Sequence, residues 1–335
     1  MDSTQDAVGD HTQAADDRGP SLGASSAEPA AESETDRWHS VTAAEVRKCL
    51  HIPTENDNKY TRGVVLLATG SVTYPGAAVL SAQAACRAGA GMVRYTGPAS
   101  VAAAVLAVRP EVVHGFGRFG ALVIGSGVPD AREDERASLY RSALAAGTPI
   151  VADAGALPLV EPGHRNLVIT PHARELSDLL KRLGLAKLTA TEITEAHGEV
   201  AEFAAEQLGC TVLLKGRHTH VIDGDLRFQV RTPNSWLATA GTGDVLAGVI
   251  GALLAARHEQ GECEERGNGR VVAAAAWLHA RAGWLASQRA AGVETPVTSV
   301  HAPALMLDHG PLGGPILASD VAIAIPNVIA AVLAK

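Results

Sequence analysis

The chain has little of three things. Aromatic residues make up 4% of its 335 residues, cysteine occurs four times, and no apolar run reaches the roughly 20 residues a helix needs to cross a bilayer. The stretches Val271–Leu278 and Val321–Ala334 are too short, too rich in Ala or interrupted by Pro for that role, so no membrane span is expected. Cys49, Cys86, Cys210 and Cys263 lie far apart, with neither a CxxC pair nor Cys/His ligand spacing. That excludes a disulfide scaffold and a structural zinc site, and points to reduced thiols in the cytoplasm. A basic segment followed by an apolar run is also missing at the start, so no secretory leader is expected.

Charge is scarce where a nucleic-acid or membrane partner would need it. The formal net charge is −8, but residues 1–36 hold nine acids against the single base Arg18 and account for all of it. The remaining residues balance at 27 bases and 27 acids. A neutral body offers no footprint for phosphate backbones or anionic lipid. The acidic segment itself, residues 1–36, has almost no large apolar side chain and is expected to be disordered.

What is present is a chain that is 47% apolar, with 34 glycines and many alanines, enough for a large core with tight turns and close helix–sheet packing. Short β-branched runs occur at Val64–Ala68, Met92–Tyr95, Ala121–Ile124, Ile150–Ala152, Leu167–Thr170 and Thr211–Leu214. Ala-rich helical stretches such as Ala77–Ala88, Ala131–Ala146 and Glu192–Leu208 separate most of them. Continuous apolar strands alternating with helices predict a mostly parallel sheet covered on both faces. Thr219–Asp223 and Leu226–Arg231, joined by Gly-Asp, read as an antiparallel hairpin. From Thr242 onward the chain is expected to be mainly helical, and residues 292–315 carry no clear assignment.

One helix start and four strand ends carry residues suited to chemistry. In TAGTGDVLAG (Thr239–Gly248) two glycines let backbone N–H groups converge at the start of a helix, a place that favours an anion. Ala240, Gly241, Thr242 and Gly243 would form that anion hole. An acid beside a bound phosphate is costly unless it takes a proton from an attacking hydroxyl, which is the role open to Asp244; a plain helix cap is the alternative. In LLKGRHT (Leu213–Thr219), Lys215 could reach a diphosphate or simply face solvent in the hairpin. In ITPHARELSDLL, His172 ends a strand and either contacts ligand or caps the next helix, while Glu175 could help hold a hydrated metal. The loop Gly70–Ala77 and the turn VIGSGV, with Gly125 and Gly127, could approach a ligand closely.

Taken together and in order, GSVTYPGAAVLSAQAACRAGAGMV, VIGSG, VADAGAL, ITPHARE, LLKGRHT, ATAGTGDVLAGVIGALL and AAAWLHARAG resemble the ADP-dependent NAD(P)H-hydrate dehydratases of the ribokinase-like superfamily. LASDVAIAIPNVI resembles that family's closing helix, and the likeness spans roughly residues 40 to 335. The resemblance implies a three-layer α/β/α sandwich over residues 37–335 and the return of hydrated NADH or NADPH (NADHX, NADPHX) to the normal dinucleotide as ADP becomes AMP and phosphate. It implies Asp244 as base and substrate contact, and Gly243 as a nucleotide contact. Lys215, Gly216, Arg217, His218 and Thr219 would line the ADP site, while Ala77, Gly127 and His172 would touch the hydrate. Mg²⁺ is expected between phosphate oxygens, with Glu175 reaching it at most through water.

A homotetramer is also expected, as is a separate epimerase, because the leading segment is too short for the epimerase domain some relatives carry. The chain departs from the family's pattern at Gly155, where Asp-Ala-Asp-Ala-Leu has become Asp153-Ala154-Gly155-Ala156-Leu157. It departs again in TPHARE, where TPHPGE is usual. The alternative reading is a kinase of a small alcohol such as a thiazole or hydroxymethylpyrimidine. It would use the same Asp244 but release a stable phosphate ester.

Overall fold

The β-branched runs sit side by side in one sheet. The computed structural model describes residues 37–261 and 267–334; the acidic segment 1–36 and Cys263 lie outside them. The strands are β1 (His39–Ser40), β2 (Val64–Ala68), β3 (Met92–Tyr95), β4 (Val113–His114), β5 (Ala121–Ile124), β6 (Ile150–Ala152), β7 (Leu167–Ile169), β8 (Thr211–Leu214), β9 (His218–Asp223) and β10 (Leu226–Arg231). They pair in the order β1-β10-β9-β8-β7-β6-β5-β2-β3-β4. From β8 to β4 all pairings are parallel, while β9 runs antiparallel to both neighbours.

Alternation along the strands builds two cores. Val65, Leu67, Ala121, Val123 and Val168 face one layer; Leu66, Ala68, Leu122, Ile124, Leu167 and Ile169 face the other. The first layer holds α1 (Ala43–Cys49), α2 (Pro75–Arg87) and α3 (Ala99–Val108), and the second holds α4 (Arg136–Ala145), α5 (Ala173–Arg182), α6 (Ala190–Glu195) and α7 (His197–Leu208). The chain then returns to the first layer with α8 (Thr242–Glu259) and α9 (Gly269–Ala290); α10 (Ala304–Asp308) and α11 (Ala318–Leu333) follow. This is the expected three-layer α/β/α sandwich, and no described helix is long and apolar enough to cross a membrane.

The small residues of α2 are there for packing. At Gly248 a Cβ would lie 2.4 Å from the Ser81 carbonyl oxygen, so α8 can press against α2 only without a side chain there. Two expected helices are each interrupted. The Ala131–Ala146 stretch begins as a 3₁₀ turn over Ala131–Glu133, because the Asp130 carboxylate accepts from the Arg132 N–H and caps it. The Glu192–Leu208 stretch breaks at Ala196, whose φ −108°, ψ 41° separates α6 from α7. The edge strands β1 and β4, of two residues each, are too short to show a period.

Candidate active site

The parallel strands deliver their following residues to one edge, beyond their carboxyl ends, where open α/β sheets bind ligands. There β5 is followed by Gly125, Ser126 and Gly127, β6 by Asp153, β7 by Thr170 and His172, and β8 by Lys215. His172 and Lys215 are joined by a parallel bridge, the Lys215 N–H donating to the Pro171 carbonyl at 2.9 Å.

Asp153 is the buried centre of this edge, 3% exposed. It accepts from Ser126 Oγ, Thr170 Oγ1 and Lys215 Nζ, each at 2.8 Å. Burial opposes ionisation, yet the Lys215 ammonium and the three donors hold its carboxyl below the usual range. Lys215 is likewise opposed by burial, but Asp153 and Glu175, whose Oε2 is 3.6 Å from Nζ, hold its pKa above the ordinary lysine value. The motif around Asp153 is visible in the sequence, but its role is not, because its partners come from three strand ends spread over residues 126–215.

Asp244 lies in the first turn of α8. The N-cap is Gly241, at φ +90°, where a Cβ would meet Leu80 Cδ1 at 2.5 Å, so only glycine suits both the conformation and the space. No side chain caps the helix, which leaves the leading N–H groups directed out of its positive end. Lys215 Nζ lies near this turn, 3.7 Å from where a Gly243 Cβ would be. Burial, then the Asp153 charge, push the Asp244 carboxyl up to about 7, with Lys215 opposing. The turn is braced from behind: Thr242 Oγ1 donates to the Leu237 and Thr239 carbonyls, and His279 Nε2 to the Thr242 carbonyl at 2.9 Å. Burial drops the His279 pKa to about 4, so the ring is neutral and its one N–H is fixed by that bond. His279, inside WLHARAG, was not singled out by the sequence.

A cavity of about 520 Å³ opens beside this turn, lined by His172, Lys215, Gly216, Arg217, Thr219 and Gly243 among others. It therefore gathers most of the residues expected around a nucleotide. His218 is not among them: it begins β9, so alternation turns its side chain to the opposite face, beside His197, His220 and Gln229.

Ala77 and Gly127 meet each other. Gly127 has φ +66°, and a Cβ there would fall 2.3 Å from the Ala77 Cβ. His172 caps α5, its Nδ1 accepting from the Glu175 N–H at 3.2 Å while Glu175 Oε2 accepts from the His172 N–H at 2.8 Å. Capping and cavity lining thus coincide at His172, whose side chain stays 52% exposed. At Gly155 the missing acid has no room, since a Cβ would lie 1.9 Å from the Val128 carbonyl oxygen. Among the described residues no three His, Cys, Asp or Glu side chains converge as metal ligands.

Residues 65–302 match the family model for the NAD(P)H-hydrate dehydratase domain, and the chain belongs to that family. It is 39% identical over 224 residues to the bifunctional NAD(P)H-hydrate repair enzyme Nnr of Mycobacterium tuberculosis H37Rv, covering 63% of this chain and 45% of that protein. It is 34% identical over 243 residues to the ADP-dependent (S)-NAD(P)H-hydrate dehydratase of Xanthomonas campestris, covering 65% of this chain and 81% of that protein. The chain thus spans less than half the length of the bifunctional relatives. Among solved structures it resembles the ADP/ATP-dependent NAD(P)H-hydrate dehydratase of Bacillus subtilis co-crystallised with ATP/Mg²⁺, with TM-score 0.67, 25% identity, and coverage of 86% of this chain and 96% of that one. A ribokinase-like superfamily protein of Enterococcus faecalis, at TM-score 0.65 and 20% identity, shares the fold.

Proposed function

We propose that this chain restores NADH or NADPH from its hydrate, converting ADP to AMP and phosphate, with Asp244 as the base. The observation that carries this reading is a carboxyl held at about 7 at an uncapped helix start, within reach of the Lys215 charge. At neutral pH such a group is ionised in a large fraction of molecules and still basic enough to take a hydroxyl proton. The hydroxyl oxygen of the hydrate attacks the β-phosphorus of ADP, its proton passes to Asp244, and AMP leaves with the bond electrons. Negative charge on the transferring group is met by the N–H groups of Ala240, Gly241, Thr242 and Gly243 and by Lys215. The ring nitrogen then expels phosphate, and loss of a proton from the neighbouring ring carbon restores the dihydropyridine.

Lys215, Gly216, Arg217, Thr219 and Gly243 hold the nucleotide in this reading, and Ala77, Gly127 and His172 hold the hydrate. The donor set suits a Mg²⁺ that phosphate oxygens and water would complete: among the described residues no protein cage is present, Asp153 already accepts three hydrogen bonds, and Glu175 is the nearby carboxylate not assigned as base. When bound, that ion supplies charge neutralisation between phosphates. A homotetramer and a functional link to an epimerase also belong to this proposal.

The test is incubation of the full chain with NADHX, Mg²⁺ and ADP, reading restored NADH absorbance and AMP together. Restoration with release of free phosphate supports the reading. No restoration with either ADP or ATP overturns it, and a stable phosphorylated vitamin precursor establishes the kinase instead.

A further inference from the structure

A residue outside the family match holds a side chain that lines the nucleotide cavity. That match ends at residue 302, and just beyond it α10 carries Asp308 back to the mouth of the cavity. The Asp308 carboxylate accepts from Arg217 Nη2 on one oxygen and from Arg231 Nη2, at 2.6 Å, on the other. Arg217 Nη1 donates to Ser235 Oγ at 3.0 Å, so its fork is held at two points. Asp308 is 12% exposed while Arg217 is 43% exposed, which makes the acid the fixed member of the pair. The segment carrying it is fastened: Trp236 Nε1 donates to the Leu312 carbonyl at 2.8 Å, Gln288 Nε2 to the Pro311 carbonyl at 2.9 Å, and the Gly314 N–H to the Ser287 carbonyl at 2.7 Å. The two arginines hold the Asp308 carboxyl below its usual range, so it stays charged wherever the enzyme works.

We propose that Asp308 is a positioning residue that aims Arg217 into the cavity for a nucleoside diphosphate. The inference rests on the nucleotide site of the function proposed above. An unheld arginine at a cavity mouth spreads over many rotamers and must be ordered when ligand arrives; here Asp308 and Ser235 order it in advance. Loss of Asp308 therefore weakens the nucleotide and leaves the chemistry at Asp244 intact.

The experiment measures ADP binding by calorimetry on the full chain with Mg²⁺, alongside kcat and both KM values for hydrate turnover. Asp308→Asn is expected to raise the ADP Kd and the KM for ADP about tenfold, with kcat and the KM for NADHX within about twofold. Asp308→Glu, which keeps the carboxylate, recovers most of the loss, and Arg217→Ala combined with Asp308→Asn is no weaker than Arg217→Ala alone. An unchanged Kd in Asp308→Asn, additive losses in the double variant, or equal falls in kcat, NADHX affinity and Tm would overturn the proposal. If Asp308→Asn does not fold, Arg217→Lys keeps the charge, loses the fork and must show the same ADP-selective loss; without it the proposal fails. Calorimetry needs no turnover, so a chain that binds ADP without restoring NADH sinks the functional reading and still decides this one.

Discussion

The end of β6 and the start of α8 each place an aspartate near the Lys215 ammonium, and the two places hold their carboxyls in opposite states. Asp153 is the more deeply buried, yet it stays charged, because two hydroxyls and the ammonium donate to it directly. Asp244 has no side-chain donor at hydrogen-bond distance among the described residues and faces the Asp153 charge, so burial wins and its proton is retained to about 7. Burial alone therefore does not decide protonation; the adjacent Lys215 charge and the donors around the carboxyl do. One acid holds the edge together and the other is left able to exchange a proton.

The largest effect that tests this contrast is on turnover. Asp244→Asn removes the proton acceptor and is expected to cut kcat by about 10³-fold, while ADP binds as well or better once the nearby carboxylate is gone. Turnover within tenfold of the unmodified chain would make Asp244 no more than a cap. Asp153→Ala acts on the other side. It leaves Lys215 with Glu175 at 3.6 Å and the nearby Asp244, and strands two buried hydroxyls, so stability should fall by about 3 kcal/mol, read as a lower denaturant midpoint. Losing the Asp153 charge also lowers the Asp244 pKa, and the acid limb of the pH–rate profile should move down.

How much of this contrast the sequence carries differs between its halves. GTGD announces an anion site with an acid in it, because the signal lies in consecutive residues. The six parallel strands were legible for the same reason, as uninterrupted β-branched runs buried on both faces. The Asp153 nest is built from Ser126, Thr170 and Lys215, which only the strand order brings together. Asp308 and His279 were hidden likewise, acting across long separations. Which face of the hairpin His218 takes was also hidden, because the strand begins one residue earlier than expected and side chains alternate along it.

The third test concerns stability against pH. The folded pKa of Asp244, about 7, lies above the ordinary aspartate value of 3.8, so the folded chain binds the extra proton between those values. Stability from this group is then fully present only below the lower value and is lost as pH rises toward neutrality. Asp244→Asn should accordingly raise Tm by a few degrees at about pH 8, with the gain shrinking toward about pH 4. Asp153 has the reverse sign: its contribution is present above the ordinary carboxyl range and is lost in acid. A Tm difference between the parent and Asp244→Asn that is flat with pH would remove the contrast.

The smallest effect separates donor count from burial most cleanly. Ser126 is fully buried, and its hydroxyl donates at 2.8 Å to the Asp153 oxygen that Lys215 does not use. Ser126→Ala removes one donor of three, changes almost no volume and keeps the charge pair. If donors keep Asp153 ionised, stability should fall by about 1 kcal/mol and the Asp153 pKa should rise. Asp153 stays ionised over the range where Asp244 titrates, so the Asp244 pKa should hold still, and side-chain carboxyl NMR titration would read both groups in one experiment. A rise confined to Asp153 supports the role of the donors, whereas a stationary Asp153 would mean that Lys215 alone sets its state.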